Sequence, residues 1–183
     1  MKVPSHYFVF DVESVGLHGE GFAVGGGIFA DNGAIQYGFT FACDPERAQG
    51  TDDDRKWVNE NIPAMESSHR SPKGIRDAFW GEWIKAKTHY PGIRMAADCG
   101  WPVEARFLCA CVDDNKVERN WDGPYPFLEI SDVLEIAGMD PMANYERTPS
   151  EMPKHHPYSD AVQSARLLFT ALKSIADSNS DNQ

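Results

Sequence analysis

The chain has 183 residues, 42% of them hydrophobic and 11% aromatic, which is enough for one buried core and too short for two ordinary domains. With 28 acidic residues against 17 basic ones the formal charge is −11, which argues against a broad basic face coating long nucleic acid but leaves room for a small cleft working on one chain end. No stretch approaches the roughly 20 consecutive apolar residues of a membrane span, and acidic residues follow the N-terminus too early for a secretory leader, so the expectation is a soluble, cytoplasmic protein with no membrane partner.

Residues 7–10, YFVF, are aromatic and β-branched and read as a central strand ending at Asp11. A Gly-containing turn over 14–21 leads to an apolar run over 22–30, and Asp31-Asn32-Gly33 before the next run, 34–42, is a hairpin signal. Gly25, Gly26 and Gly27 inside the second strand point to a bulge or a close backbone approach. Residues 44–70 are polar without a clear period and read as a long lid or substrate loop, with one short helical turn over 54–61. The compact basic cluster Arg70, Lys73 and Arg76 reads as a solvated loop, with phosphate contact as the alternative.

From Pro72 onward, Ile75, Phe79, Trp80, Trp83 and Ile84 recur at helical spacing and predict an amphipathic helix of about four turns. Residues 93–97 read as a short strand. Pro102 then opens a helix with Val103, Phe107, Leu108 and Cys111 on one face. Residues 127–130 read as a strand, after which Ser131 or Asp132 caps a helix over 133–137 that ends at Gly138. Residues 141–154 are irregular, and Ser159 reads as the N-cap of a last helix whose Val162, Ala165, Leu168, Leu172 and Ile175 form one apolar stripe. The polar segment 177–183 reads as a disordered tail, which leaves one domain over 1–176. Cys43, Cys99, Cys109 and Cys111 show neither zinc-site nor disulfide spacing, and Cys109 and Cys111 read as core thiols. The order β-β-β-α-β-α-β-α implies an α/β fold, a mixed five-stranded sheet with helices on both faces.

Ligand sites in such sheets lie beyond the strand ends. Asp11 and Glu13 stand at the first strand's end, Asp98 at the fourth's, and Asp160 at the first turn of the last helix, so the topology can bring them to one rim. Positions i and i+2 of a strand share a face, so Asp11 and Glu13 project together. Like charges held that close raise each other's pKa unless a cation neutralises them, and hard oxygen donors select Mg²⁺ or Mn²⁺.

These residues resemble the motifs of the DEDDh exonucleases of the ribonuclease H-like superfamily, which includes proofreading exonuclease subunits, ribonuclease T and oligoribonuclease. The family's first motif, D-x-E-T-T-G-L, is matched by "DVESVGL" at Asp11, Glu13, Gly16 and Leu17, with Ser14 for the first Thr. Its third motif, H-x4-D, is matched by "HHPYSD" at His155 and Asp160, with His156 reachable only by a register change. The second motif, H-N-x-x-F-D-x-x-F-L, departs: "AADCGWPVEARFL" carries Glu104 where the family has Asp, and Asp98 near the place of the family's His. Asp98 is slightly favoured as the carboxylate that stands in for the second motif's Asp, because a strand end fixes a side chain better than a helix turn. Glu104 is its rival.

The resemblance implies a ribonuclease H-like fold and a 3′-5′ exonuclease that releases nucleoside monophosphates from single-stranded RNA or DNA 3′ ends, RNA slightly favoured. It implies two Mg²⁺ or Mn²⁺ ions held by Asp11, Glu13, Asp160 and Asp98 or Glu104, with His155 as general base. Val15, Gly16 and Leu17 would contact the terminal bases, and Trp101 beside the second motif would stack on a base. A homodimer stays open. The irregular second motif motivates a different class, a catalytically silent module that binds nucleic acid or a protein, and hydrolysis of another phosphodiester such as a small capped nucleotide is a third option.

Overall fold

The computed structural model describes residues 4–180. The predicted boundaries at 1–3 and 181–183 lie outside the described residues. The sheet has five strands in the order β3-β2-β1-β4-β5. β1 (His6–Ser14), β2 (Gly21–Ala30) and β3 (Ile35–Ala42) form an antiparallel meander, and β4 (Arg94–Ala97) and β5 (Leu128–Glu129) add parallel pairings. Gly33, at φ 84°, closes the hairpin between β2 and β3 in the conformation the Asn-Gly signal requires.

The pleat sends alternate side chains of β1 to opposite faces. Phe8, Phe10 and Val12 join a core built with α2 (Pro72–His89) and α3 (Val103–Asp114), where Ile75, Phe79, Trp83, Phe107 and Cys111 are buried. Tyr7 and Val9 join a second core with α5 (Ile130–Ile136) and α6 (Pro157–Ser180), through Ile130, Leu134, Val162, Ala165 and Leu168. By the same alternation Asp11 and Glu13 face the α6 side.

Strand β1 does not stop at Asp11 as the sequence suggests. Its pairing with β2 runs on to Ser14, with Asp11 opposite Gly25 and Glu13 opposite Ala23. On the other edge, pairing with the short β4 ends at Val9 opposite Ala96. The last part of β1 is therefore backed by β2 and open toward β4, which creates the slot where the acidic residues gather.

The three glycines of β2 mark the predicted close approach. A side chain at Gly25 would lie 2.2 Å from the Tyr158 amide nitrogen, and one at Gly38 would lie 2.4 Å from the Tyr158 ring. The start of α6 thus sits directly over the cross-strand partner of Asp11, and this carries Asp160 to the first strand. Gly25→Val should push α6 off the sheet, destabilising the fold by about 1–3 kcal/mol through overpacking. Melting curves of the variant and the wild type check this; an unchanged melting temperature would contradict it.

Several local readings change. Within residues 44–70 the helical turn expected over 54–61 is the longer helix α1 (Asp52–Asn61), preceded by a 3-10 turn at Pro45–Arg47. Thr51 and Asp54 cap α1 reciprocally, a capping-box signal present in "TDDDRKW". Arg76 lies in α2 rather than in a solvated loop, buried between Glu20 and Asp114, and Lys73 pairs with Asp77. Helix α5 starts at Ile130 with Glu129 in the cap position, so Ser131 and Asp132 lie in its first turn and are not caps. α6 starts at Pro157, so Ser159 is a buried helical residue donating to the Met152 carbonyl. The last helix continues to Ser180, so 177–180 are helical rather than a disordered tail. A short helix, α4 (Lys116–Arg119), and a 3-10 turn at Pro149–Glu151 complete the elements. All four cysteines are free, with Cys43 and Cys111 buried; Cys109, expected in the core, is exposed. No helix among the described residues is long and apolar enough to cross a membrane.

Candidate active site

Acidic side chains from four elements converge at the open end of β1. Burial pushes the Asp11 carboxyl well above the usual carboxylate range, and the charges of Glu104, Glu13, Asp160 and Asp98 push it further. Burial likewise raises Glu13 to about 8, with Asp160 and Glu104 adding to it. Among the described residues no Lys or Arg stands within ion-pair distance of Asp11, Glu13, Asp98 or Glu104. Desolvated like charges without such partners are costly, and a divalent cation is the group that would make the arrangement favourable. Glu13, His155 and Asp160 also offer ligand atoms within 4.8 Å of one another. The carboxylate oxygens are hard donors that suit Mg²⁺ or Mn²⁺, and the His155 imidazole stands beside them.

Both rival carboxylates lie near Asp11, in different surroundings. Glu104, in the first turn of α3, is buried, and its Oε1 faces the Val12 amide across the edge that β4 leaves open, at 3.4 Å. Burial raises its pKa to about 7 against the lowering influence of its backbone hydrogen bonds, and Glu129 and Asp98 add to the rise. Its charge adds to the rise of the Asp11 pKa. Asp98 follows β4, is raised by burial and then by Asp160 and Glu129, and also adds to the rise at Asp11. Burial and the Val12 amide pin Glu104 on its helix turn, and Asp98 stands just beyond the end of β4 as expected.

His155 stands just ahead of α6 with φ 59°, in the left-handed region that a bulky side chain enters at a cost of roughly 1–2 kcal/mol. Its amide donates to Asp160 Oδ2 at 3.2 Å, and its ring meets the edge of Trp57 with centroids 5.8 Å apart. Burial lowers its pKa, against the raising influence of Asp160, and so favours the neutral ring. His156 serves differently: its carbonyl accepts the Asp160 amide that begins the helical ladder.

Beside the acidic cluster lies a pocket of about 350 Å³ lined by Glu13, Gly16, Leu17, Asp54, Trp57 and Val103. Gly16 has φ 80°, and its missing side chain leaves room for the Asp54 carboxylate, 2.5 Å from where a Cβ would sit. Leu17 is 68% exposed and Trp57 49% exposed, which gives the pocket two apolar walls. Val15, expected to touch bases, is fully buried and faces Gly50 instead. Trp101, 69% exposed, lies outside this pocket and lines an adjoining cleft of about 470 Å³ together with His18 and Arg106; Val103 borders both. Trp57 and Asp54 are pocket residues that the sequence did not single out, although both fall on the helical turn expected over 54–61; the capping box ahead of them was the available signal.

No family model and no curated relative matches the sequence. Among solved structures, the chain is similar to Pop2p of S. pombe in a form bound to Mg²⁺ and Mn²⁺, with TM-score 0.63 and 9% identity over 90% of this chain and 81% of that one. It is also similar to a moderately thermophilic Exonuclease I from Methylocaldum szegediense, with TM-score 0.61 and 14% identity over 92% of this chain and 43% of that protein. At such identities the likeness concerns the fold, and the chain has the ribonuclease H-like α/β fold, a mixed five-stranded sheet flanked by helices.

Proposed function

We propose that the protein is a divalent-cation-dependent 3′-5′ exonuclease that releases nucleoside monophosphates from single-stranded nucleic acid, with RNA slightly favoured over DNA. The observation that carries this reading is the meeting of Asp11, Glu13, Glu104, Asp98 and Asp160 beside a pocket walled by Leu17 and Trp57. When bound, a pair of Mg²⁺ or Mn²⁺ ions supplies the charge that favours in-line displacement at phosphorus. Asp11, Glu13 and Asp160 would hold them, with Glu104 the better placed of the two remaining carboxylates. His155 takes the proton of the attacking water at the ring nitrogen that lies near Glu13 and Asp160. The pocket has room for one nucleoside, whose base stacks between Leu17 and Trp57. The strand then passes over Val103 toward Trp101 and Arg106, a course that suits a single strand and needs no broad basic face.

Short oligoribonucleotides and oligodeoxyribonucleotides incubated with Mg²⁺ or Mn²⁺ should yield nucleoside monophosphates, the ribose series faster. Absence of cation-dependent cleavage of both would overturn the reading. In the same assay Glu104→Gln should cost on the order of 10²-fold or more in kcat and Asp98→Asn less; the reverse order would return the role to Asp98.

A further inference from the structure

Asp160 differs from the other carboxylates of the site in having an arginine on it. Arg147 sits in the irregular segment between α5 and α6, and its NH1 donates both to the Asp160 Oδ1 at 2.5 Å and to the Glu151 carbonyl at 2.9 Å. The Asp160 Oδ2 is taken by the His155 amide. Both side chains of the pair are largely buried, with 17% and 16% exposure, so the contact is shielded from solvent and is not a loose surface pair. Glu151, which steers Arg147 through its carbonyl, is itself fixed by Arg166 and by the Thr148 amide, so the guanidinium is held in place from a rigid turn.

We propose that Arg147 is the resident counter-cation of Asp160, which holds this carboxylate in the cation-free protein and must release it when a divalent ion binds. The inference rests on the cation-dependent reading above. Its physical basis is competition. A guanidinium on one oxygen of a carboxylate repels a divalent ion approaching the same group, and the repulsion is strong where water is excluded. The acidic cluster has no other arginine or lysine in contact among the described residues, so Arg147 is also what offsets part of its self-repulsion before a cation arrives. The consequence is a site that stays folded without metal at the expense of weaker metal affinity.

The test uses the full chain, Mn²⁺ alone as the probe, and two readouts that do not involve catalysis: Mn²⁺ affinity by calorimetry, and melting temperature with and without Mn²⁺. Arg147→Gln removes the charge and keeps a donor for the Glu151 carbonyl; Arg147→Lys keeps the charge. Arg147→Gln should bind Mn²⁺ about tenfold more tightly than the wild type, melt roughly 3–6 °C lower without metal, and regain the wild-type melting temperature at saturating Mn²⁺. Arg147→Lys should follow the wild type in all of these. Mn²⁺ binding by Arg147→Gln that is unchanged or weaker, or a melting deficit that persists equally with Mn²⁺, would overturn this inference alone. Failure of the wild type and both variants to bind Mn²⁺ would overturn it together with the nuclease reading.

Discussion

Asp11→Asn is expected to abolish Mg²⁺- and Mn²⁺-dependent hydrolysis, by a factor on the order of 10³ or more, while making the metal-free protein more stable at pH 8. The two effects share one cause. Asp11 lies at the centre of the cluster, where burial and then the charges of Glu104, Glu13, Asp160 and Asp98 all oppose its ionisation. Asn keeps the shape and removes a group whose ionisation the fold opposes, so the metal-free melting temperature should rise by roughly a few degrees. The same substitution removes the carboxylate best placed to hold a cation. Metal-free melting curves at pH 8 and rates in Mg²⁺ decide it. A destabilised variant would mean that Asp11 is a structural partner rather than a strained functional one.

The second large effect is on pH. In the folded chain Glu13 is raised to about 8 and Glu104 to about 7, each above an ordinary 4.5, and Asp11 and Asp98 are raised as well. Folded carboxyls that bind protons more tightly than their unfolded counterparts contribute stability that is fully present below the unfolded pKa and is lost as pH rises through the folded one. The paired acids Asp77 and Glu151 are lowered and act in the opposite sense, but only below their ordinary values, and His155 opposes the trend as a single imidazole. Metal-free protein should therefore be most stable at about pH 4.5–5 and melt roughly 5–10 °C lower at pH 8.5. Saturating Mg²⁺ should flatten the decline, because a cation makes the ionised forms the favoured ones. Melting temperature against pH, in chelator and in Mg²⁺, checks the sign. Stability that rises from pH 6 to 8.5 without metal would show the carboxylates to be well solvated.

What could be read from the sequence is what depends on spacing within one element or on chain order. The i and i+2 positions of Asp11 and Glu13 put them on one face whatever surrounds them, and the Asn-Gly hairpin and alternating second half dictate the sheet. The glycines of β2 announced a close approach without saying what approaches, which is the Tyr158 backbone. The undetermined parts depend on tertiary context. Glu104 reaches the Val12 amide because β4 is short enough to leave that edge open, and strand length is poorly encoded locally. Trp57 joins the site only because residues 52–61 form a helix that folds back over β1, and Arg147 reaches Asp160 from a segment with no periodic signal. Val15 reads as a base contact from its motif, yet its side chain turns into the core beneath Gly50.

The central claim is that the acidic cluster and its pocket act on a free 3′ end. The most direct measurement is digestion of a 5′-labelled single strand in Mg²⁺, alongside the same strand with its 3′ hydroxyl blocked. The account predicts a ladder that shortens one nucleotide at a time from the 3′ end, slowed strongly by the block and absent with Asp11→Asn. Internal cuts of equal rate on blocked and free strands, or cleavage that survives in Asp11→Asn, would contradict it.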